Sequence, residues 1–388
     1  MAEAALLAAG LAAAALALAG AASALLAARA VRRLAAAAPA AGPALPASVL
    51  KPLHGRAPGL EGTLRTTLAQ RHAAPFELLC AVRDPADPAV PVAEAALAAG
   101  GGALIRDPAL HGPNRKASQL ENLARRARHP VLVAVDDDIA VPPHWLTAVT
   151  APLADPAIGL VTCLYRGEPA DASPWSRLAA LGIDWHFLPS AALGEAMGRA
   201  QGCYGATMAL RAETLRRIGG FRALAGLLAD DHALGAAVRR LGLRVVVAPV
   251  IPGHVMAEPS LRALLAHELR WARTVRQLDP RGYAGMALTH PLPFGLLAAA
   301  LLPGGWGLAT LGTALGARLA LAVLVDRALG RRPAPGRLAL LPARDLLSFA
   351  VWLAGLARGS VTWQGRRYRM RRDGTMIEPG QAPGGRAG

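Results

Sequence analysis

The stretch VAVDDDIAV, residues 133 to 141, leads from an apolar segment directly into three aspartates, Asp136, Asp137 and Asp138. The residues before them are apolar at every position, which is typical of a strand covered on both faces of a sheet. Carboxylates this close repel one another, and partial burial makes each costlier to keep charged. The sequence therefore predicts a positively charged partner at the end of this strand.

Strand-like and helix-like segments alternate around this stretch. Strands are predicted within ASVLKPLHG, FELLCAVRD, GALIRD and VLVAVDDD, and helices at GLEGTLRTTLAQRH, PVAEAALAAG and SQLENLARRA. This alternation favours an α/β fold, a mainly parallel sheet with helices on both faces. In such sheets, ligands bind outside the carboxyl ends of the strands, where Asp84, Asp107 and the aspartate triplet are predicted to lie.

A strand-end Asp-x-Asp suits a hard divalent cation. Mg²⁺ and Mn²⁺ take one or two carboxylates and fill their other positions with water and phosphate oxygens. An Asp-rich turn before a helix is the alternative. Neither a GxxxxGK[ST] nor a GxGxxG motif lies near the triplet in the sequence. A sugar nucleotide is therefore the leading ligand class.

The two ends of the chain are apolar enough to enter a membrane. Residues 4–28 contain no charged residue, and Arg29, Arg32 and Arg33 follow them. This order favours a retained anchor over a cleaved signal peptide and places the following residues in the cytoplasm. The apolar block from about 290 to 325 is interrupted at Pro303. It is either a tight helical hairpin or one long broken helix.

Five regions are predicted along the chain. They are an N-terminal transmembrane anchor, a linker, a cytoplasmic α/β domain with interfacial helices, a C-terminal transmembrane region and a basic tail, at 1–33, 34–47, 48–285, 286–360 and 361–388. The net charge is +16, although Lys51 and Lys116 are the only lysines in the sequence. Basic runs interleaved with aromatics are missing from the sequence, so an anionic membrane surface is a better partner than nucleic acid. Three widely spaced cysteines predict neither a disulfide framework nor a zinc site.

Two later motifs add acids and a basic helix. LADDHALG places Asp230 and Asp231 at the start of a predicted helix, where the helix dipole favours acids, and helix capping is the expectation for Asp230. SLRALLAHELRWARTVRQL, residues 260 to 278, predicts a basic amphipathic helix suited to an anionic membrane surface. Its Arg270 and Trp271 place a phosphate-binding fork next to a flat stacking face.

The order of these motifs resembles the membrane-bound, family-two-like glycosyltransferases of GT-A fold, and within them the ceramide glucosyltransferase family. The resemblance runs from residue 48 to about residue 374. Its motifs are FELLCAVRDPADPA, GPNRKASQL with the Asn-x-Lys segment, VDDDIAV, LADDHALG, HELRW and WQGRRYR. One departure is that His267 replaces the Gln or Arg that opens the family's Arg-Trp motif.

Within this family, three segments resemble the bacterial hopanoid-biosynthesis-associated branch: LADPAIGLVTCLYRG, HELRWARTVRQLDPRGYAG and LPARDLLSFAVWLAG. This resemblance implies an inner-membrane enzyme that transfers N-acetylglucosamine from UDP-GlcNAc to bacteriohopanetetrol. A ceramide or diacylglycerol glucosyltransferase that uses UDP-glucose and a processive polysaccharide synthase are the alternatives. A non-catalytic membrane scaffold is disfavoured by the intact acidic and Arg-Trp motifs.

The resemblance also implies a role for each matching residue. Asp231 would be the general base, and Asp136 and Asp138 would hold Mg²⁺ or Mn²⁺ against the UDP diphosphate. The predicted donor-binding residues are Asp84, Asn114, Lys116, Asp136, Asp138 and Arg270, with Asp84 against the uridine. Trp271 and His267 are predicted to bind the acceptor.

Overall fold

The computed structural model describes residues 1–39, 42–199, 203–357, 361–363, 366–370 and 375–377. Its strands are β1 (Ala47–Pro52), β2 (Phe76–Val82), β3 (Ala103–Arg106), β4 (Val131–Val135), β5 (Ile139–Ala140), β6 (Ile158–Thr162), β7 (Arg166–Pro169), β8 (Thr207–Arg211), β9 (Arg244–Val247), β10 (Gly253–Met256), β11 (Val361–Trp363), β12 (Arg366–Met370) and β13 (Met376–Ile377).

The helices belong to two groups, one around the sheet and one at the chain ends. They are α1 (Ala2–Ala36), α2 (Leu60–Leu68), α3 (Ala89–Gly100), α4 (Arg115–Ala124), α5 (Trp145–Thr150), α6 (Pro174–Gly182), α7 (Leu188–Ala196), α8 (Ala212–Arg217), α9 (Asp230–Arg240), α10 (Leu261–Leu278), α11 (Pro280–Gly285), α12 (Pro291–Leu301), α13 (Trp306–Ala328), α14 (Pro335–Leu338) and α15 (Leu341–Leu356). A π-helical segment, Ile183–Phe187, joins α6 to α7.

Seven strands form the central sheet in the order β3-β2-β1-β4-β8-β6-β9. Among them only β8 runs antiparallel to its neighbours, β4 and β6. The predicted mainly parallel α/β sheet is therefore confirmed, with one antiparallel strand that the alternation of segments did not predict. Because β8 is reversed, the loop before it arrives at the edge where β4 and β6 end.

The core explains why β1 and β4 are apolar. Both strands are buried at every position, and their side chains fill two layers of packed residues, one on each face of the sheet. Leu50 packs on one face and Val49 on the other. Each such side chain contributes about 1.5–3 kcal/mol on burial. This rigid centre fixes where the two strands end.

The N-terminal helix packs against the C-terminal membrane helices through small residues. A Cβ on Gly10 would lie 2.8 Å from Leu302 Cδ2, and one on Gly20 would lie 2.9 Å from the Leu288 carbonyl oxygen. Small residues of this kind allow helices to approach closely in a membrane. Helix α1 therefore forms one bundle with α12 and α13.

The block around Pro303 is a helical hairpin. Helices α12 and α13 are separated by a short break with Gly304 at φ +66°, and they lie against each other closely enough that a Cβ on Gly307 would be 2.6 Å from the Ala298 carbonyl oxygen. Of the two structures that the sequence left open, the hairpin is the one observed. The chain between α12 and α13 is sharply reversed there.

Three described helices are long and apolar enough to cross a membrane: Ala2–Ala36, Trp306–Ala328 and Pro335–Leu356. A fourth crossing would require the pair Pro280–Thr289 and Pro291–Leu301, which is bent by 64°. The chain is therefore membrane-associated through both ends. In the predicted WQGRRYR signature, residues 364 and 365 lie outside the described residues.

A set of buried ion pairs joins the membrane helices to the segment between α6 and α7; we call it the membrane junction. Asp184 accepts hydrogen bonds from Arg331 and Arg337, and Arg337 also pairs with Asp326 at 3.1 Å. Trp185 Nε1 donates to Asp326. Further along, Arg318 of α13 pairs with Asp345 of α15. The residues of the membrane junction are Asp184, Trp185, Arg318, Asp326, Arg331, Arg337 and Asp345.

Candidate active site

The aspartate triplet lies between the end of β4 and the start of β5, and each carboxylate has a different partner. Asp136 Oδ1 is 2.6 Å from Lys116 Nζ. Asp138 Oδ2 is 3.1 Å from His254 Nε2. Asp137 Oδ2 accepts a hydrogen bond of 3.1 Å from the His54 backbone N–H. The protein itself therefore supplies positive or hydrogen-bonding partners to all three acids.

Lys51 lies beneath the triplet and was not predicted as a site residue. It is fully buried at the end of β1, and its Nζ donates to the Asp136 carbonyl oxygen at 2.6 Å. Burial lowers the pKa of Lys51, against the raising effect of Asp137. The sequence signal was a lysine in an otherwise apolar strand, since such a buried charge needs a partner. Lys51 fixes the backbone that carries the acids.

The acids remain short of positive charge. Burial, together with repulsion from Asp138 and Asp136, raises the pKa of Asp137 to about 7. Burial also raises the pKa of Asp136, despite Lys116. Burial alone would raise the pKa of Asp138, but His254 beside it brings that pKa below its ordinary value.

These carboxylates fit a divalent cation that also binds phosphate. Within the described residues, no group of three or more His, Cys, Asp or Glu side chains is arranged to hold a metal by itself. Mg²⁺ does not require such a cage, because one or two carboxylates and substrate phosphates suffice. Asp136 and Asp138 provide oxygen donors of that kind, in surroundings where added positive charge relieves repulsion.

Helix α4 presents Lys116 to the triplet. Burial would lower the pKa of Lys116, but Asp136, Asp230 and Asp231 together raise it, so the ammonium stays charged. Lys116 thus interacts electrostatically both with the triplet and with the two acids that begin α9. Its predicted role in donor binding stays a prediction.

Asn114, which was predicted to bind the donor, lies at the start of α4. Its side chain is fully buried as the N-cap of α4, where Oδ1 accepts from the Ala117 N–H at 2.9 Å. Its Nδ2 donates to the Leu227 carbonyl oxygen at 2.8 Å. With both polar atoms engaged inside the protein, Asn114 positions the start of α4, and its contact with the donor stays a prediction. The local sequence favours this role, because Asn is a preferred N-cap residue.

Asp231 is held at the start of α9 by backbone amides. Its Oδ2 accepts from the Gly205 N–H at 3.0 Å and its Oδ1 from the His232 N–H at 2.7 Å. Burial raises the pKa of Asp231, opposed by Lys116. A Cβ on residue 205 would lie 3.0 Å from Asp231 Oδ2, so glycine gives the carboxylate its space.

The neighbouring Asp230 differs from the expectation of a helix cap. The N-cap residue is Ala229, and no side chain makes the capping hydrogen bond. Asp230 lies in the first turn and is buried, with Oδ2 lacking a hydrogen-bond partner. Burial raises its pKa, against the effect of Lys116. The less buried Asp231 is the better placed of the two for chemistry.

A cleft of about 340 Å³ opens in front of the triplet; we call it the donor cleft. Its lining residues are Pro52, His54, Ala57, Pro58, Arg83, Arg115, Lys116, Gln119, Asp136, Asp137 and Asp138. Several cations thus surround the acids, as a diphosphate requires. A larger groove of about 630 Å³ lies between α2 and α3 and contains none of the predicted site residues.

Asp84 lies next to this cleft rather than in its lining. It is exposed in the loop after β2, and its Oδ1 accepts from the Ala86 N–H at 2.9 Å. That contact forms a turn between the end of β2 and Pro85. One carboxylate oxygen is used in the turn, and the assignment of Asp84 to the uridine stays a prediction.

Helix α10 lies on the Asp138 side of the donor cleft, beyond His254. Arg270 is largely buried, which lowers its pKa against the attraction of Tyr165 and Asp138. Its guanidinium carbon lies 5.9 Å from the ring centre of Trp271. The ring of Trp271 also lies 4.3 Å from that of His267, centre to centre, and His267 Nδ1 is 2.7 Å from Glu258 Oε1.

His254 lies between Asp138 and α10, and it was not predicted as a site residue. Its ring lies 5.3 Å from that of Tyr165 and 6.1 Å from that of Trp271, while Nε2 contacts Asp138. A lone histidine in PGHVM carried no spacing that would pair it with another ligand. Pairing with β5 and β7 places His254 beside the triplet.

The fold and this cleft define a glycosyltransferase of GT-A type. A mannosyltransferase from Pyrobaculum calidifontis, solved with GDP-Man and Mn²⁺, is similar to the chain at 19% identity and a TM-score of 0.50, covering 90% of this chain and 99% of that one. The sequence profile described as Glycosyl transferase family 21 matches residues 11–376. The chain belongs to Glycosyl transferase family 21.

Two further solved structures show weaker similarity. GalNAc-T7 with UDP, GalNAc and Mn²⁺ is 13% identical with a TM-score of 0.38, covering 61% of this chain and 51% of that chain. Residues 1–349 of TarS from S. aureus are 14% identical with a TM-score of 0.36, covering 86% and 99%. The comparison with curated protein sequences gave no match.

Proposed function

We propose that the chain is an inverting glycosyltransferase that transfers one N-acetylglucosamine from UDP-GlcNAc to a hydroxyl of a membrane lipid, bacteriohopanetetrol in hopanoid biosynthesis. The observation that carries this proposal is the arrangement around Lys116, which bonds Asp136 and lies electrostatically near Asp231. A diphosphate site and a candidate base are thus joined by one cation.

In the proposed reaction, the acceptor oxygen forms a bond to C1 of the sugar while the bond from C1 to the diphosphate oxygen breaks. The hydroxyl proton moves to Asp231, and UDP leaves. Two backbone amides orient Asp231, and its raised pKa makes it a stronger proton acceptor. Lys116 and Arg270 place positive charge beside the departing diphosphate, where such charge stabilises the transition state.

Asp136 and Asp138 are the residues that would hold Mg²⁺ or Mn²⁺. Such an ion, when bound, supplies positive charge to the diphosphate. The presence of a nucleotide sugar and Mn²⁺ in the Pyrobaculum mannosyltransferase supports this assignment. His254 would orient Asp138, since residues that hydrogen-bond to metal ligands commonly fix their direction.

A lipid acceptor is supported by the surroundings of Trp271. This residue packs against the apolar cluster that contains residues of α1, α6, α13 and α15. An acceptor held in the bilayer would therefore present its hydroxyl near Trp271 and His267. The choice of bacteriohopanetetrol and GlcNAc rests on the resemblance of LPARDLLSFAVWLAG and its companion segments to the hopanoid branch.

We further place the protein in a bacterial inner membrane with its catalytic domain in the cytoplasm. Arg29, Arg32 and Arg33 lie at the end of α1 that is connected to β1, which supports this orientation by the excess of basic residues on the cytoplasmic side.

The test is a transfer assay with membranes that contain the full chain and Mn²⁺ or Mg²⁺. UDP-GlcNAc and UDP-glucose are each offered with bacteriohopanetetrol or ceramide, and lipid products are read by mass spectrometry. One N-acetylhexosamine on the hopanoid is the expected product. Hexose on ceramide would assign the chain to the sister activity, and products longer than one sugar would identify a processive synthase.

A further inference from the structure

An arginine in a membrane helix forms a bidentate ion pair with the helix that carries the Arg-Trp motif. Arg344 of α15 is fully buried, and its Nη1 and Nη2 donate to Glu268 Oε1 and Oε2 of α10, each at 2.7 Å. Two parallel bonds of this kind fix both distance and orientation. The pair is distinct from the donor cleft, since neither residue lines it.

Three elements converge on this pair. Arg344 Nη1 also donates to the Leu178 carbonyl oxygen of α6 at 3.0 Å, and Nε donates to Ser348 Oγ at 3.1 Å. A Cβ on Gly182 would lie 3.2 Å from both Arg344 Nη1 and Glu268 Oε1. A glycine at the end of α6 therefore leaves the space in which the two side chains meet.

Glu268 lies on α10 next to His267 and two residues before Arg270, and the surroundings of the three side chains differ. His267 pairs with Glu258, whereas burial lowers the pKa of Arg270 and the nearby charge of Asp138 opposes that shift. Because residues on one helix turn together, a rotation of α10 that broke the Glu268 contacts would also move Arg270.

We propose that Arg344 and Glu268 form a clamp through which membrane helix α15 sets the rotation and depth of α10, so that Arg270 points toward the donor diphosphate. Arg344 and Glu268 are positioning residues, because they act through Arg270. A charge in a membrane helix is costly to keep, and one with a fixed bidentate partner is a candidate for function. The inference rests on the proposed function only for the role of Arg270.

The test measures how well the full chain distinguishes UDP from UMP in Mn²⁺ by calorimetric titration in lipid nanodiscs. Arg270 is expected to favour UDP because only UDP carries the second phosphate. Arg270→Gln is expected to reduce the UDP-to-UMP affinity ratio about tenfold, because it removes one charge-assisted hydrogen bond to the second phosphate. Arg344→Gln and Glu268→Gln are each expected to reduce the ratio by about the same factor, because they displace Arg270. The double variant is expected to lose no more than either single variant. Arg344→Lys retains one contact and is expected to restore part of the ratio.

Asp345→Asn is the matched control. Asp345 follows Arg344 on α15 and pairs with the buried Arg318 of α13. The substitution breaks that pair but removes no contact of α10. This variant is expected to retain the wild-type ratio. Because the ratio is a property of each folded molecule, a lower yield of folded protein does not change it.

Unchanged ratios in both clamp variants, alongside a reduced ratio in Arg270→Gln, would overturn the clamp. An equal loss in Asp345→Asn would overturn it too, by showing a general effect of disturbing the bundle. A wild-type ratio that is insensitive to Arg270→Gln would refute both the clamp and the role of Arg270. If the wild type binds GDP instead of UDP, the proposed donor is wrong. The clamp is then tested by the GDP-to-GMP affinity ratio of the same variants. Normal ratios without lipid transfer would count against the acceptor alone.

Discussion

The donor cleft and the membrane junction both bury charged residues, but they arrange the charges differently. In the membrane junction, Asp184 faces Arg331 and Arg337, and Arg318 faces Asp345 with two hydrogen bonds. In the donor cleft, three acids are consecutive in the chain, and burial together with repulsion from Asp138 and Asp136 raises the pKa of Asp137 to about 7.

This difference separates structure from chemistry. A buried pair that satisfies itself contributes a fixed geometry and has nothing left to bind. Groups whose protonation is disturbed by burial and like charge are typical of functional sites. The repulsion among the acids of the donor cleft is therefore what a divalent cation would relieve. The predictions below test whether the two regions respond as differently as this contrast requires.

The largest expected effect is on the transfer rate. Asp231→Asn removes the proposed proton acceptor while keeping a side chain of the same shape, so transfer is expected to fall by about 10²–10⁴-fold. Nucleotide binding should change little, because Asp231 lies outside the lining of the donor cleft. Single-turnover assays and calorimetry measure the two properties. A normal transfer rate in this variant would exclude Asp231 as the base.

The membrane junction should respond in stability instead. Asp184→Asn leaves Arg331 without its buried carboxylate and weakens the contacts of Arg337, so the free energy of unfolding is expected to drop by about 3–5 kcal/mol. Denaturation in detergent, followed by circular dichroism, measures this loss. Asp155→Asn is the control, because the exposed Asp155–Arg244 pair should contribute about 0–1 kcal/mol. Equal losses in the two variants would remove the distinction.

A smaller effect is expected at the metal site. His254→Gln removes the ring that contacts Asp138, and outer partners of metal ligands typically contribute about 10–100-fold in metal affinity. Titration with Mn²⁺ in the presence of UDP, read by electron paramagnetic resonance, gives the affinity. His144→Gln is a suitable control, because His144 precedes α5 outside the donor cleft. Unaltered Mn²⁺ affinity in His254→Gln would show that Asp138 needs no such support.

The smallest effect concerns pH. The pKa of Asp137 is about 7 in the folded protein, against 3.8 for an unperturbed aspartate, so the folded state holds this proton more tightly than the unfolded state. The contribution of protonated Asp137 to the free energy of unfolding is fully present below pH 3.8. It is lost as pH rises toward 7, by at most about 1.4 kcal/mol per pH unit. Unfolding experiments without metal at pH 5 and pH 7.5 measure this loss, and Asp137→Asn should flatten it. If the metal-free protein instead became more stable from pH 5 to pH 7.5, and Asp137→Asn abolished that gain, the raised pKa of Asp137 would be contradicted.

Local signals in the sequence were sufficient for the main parts of the fold and site. Unbroken apolarity predicted β4, and the acids after it predicted the edge of the sheet where the donor cleft lies. Lys116 and Asp231 were assigned from the order of motifs, and the structure brings them into one electrostatic group with Asp136. Their catalytic and binding roles stay predictions.

The remaining parts depend on contacts that no local pattern records. Lys51 reaches Asp136 across 85 positions, and His254 reaches Asp138 across 116. Neither pairing follows from helix or strand periodicity, since each requires the sheet to be assembled. Asn114 shows the opposite case: its preference for an N-cap was readable locally, while the resemblance suggested a ligand contact.

The contact between α1 and the α12–α13 hairpin has a consequence for how the chain is made. Helix α1 ends at residue 36, whereas α13 begins at residue 306. At about 5–20 residues per second, the ribosome needs roughly 14 to 54 s to synthesise the intervening chain. During that interval the glycine-lined face of α1 has only lipid as its neighbour, and the catalytic domain is synthesised before the bundle closes. Cysteine labelling at position 10 in chains halted before and after α13 would time that closure.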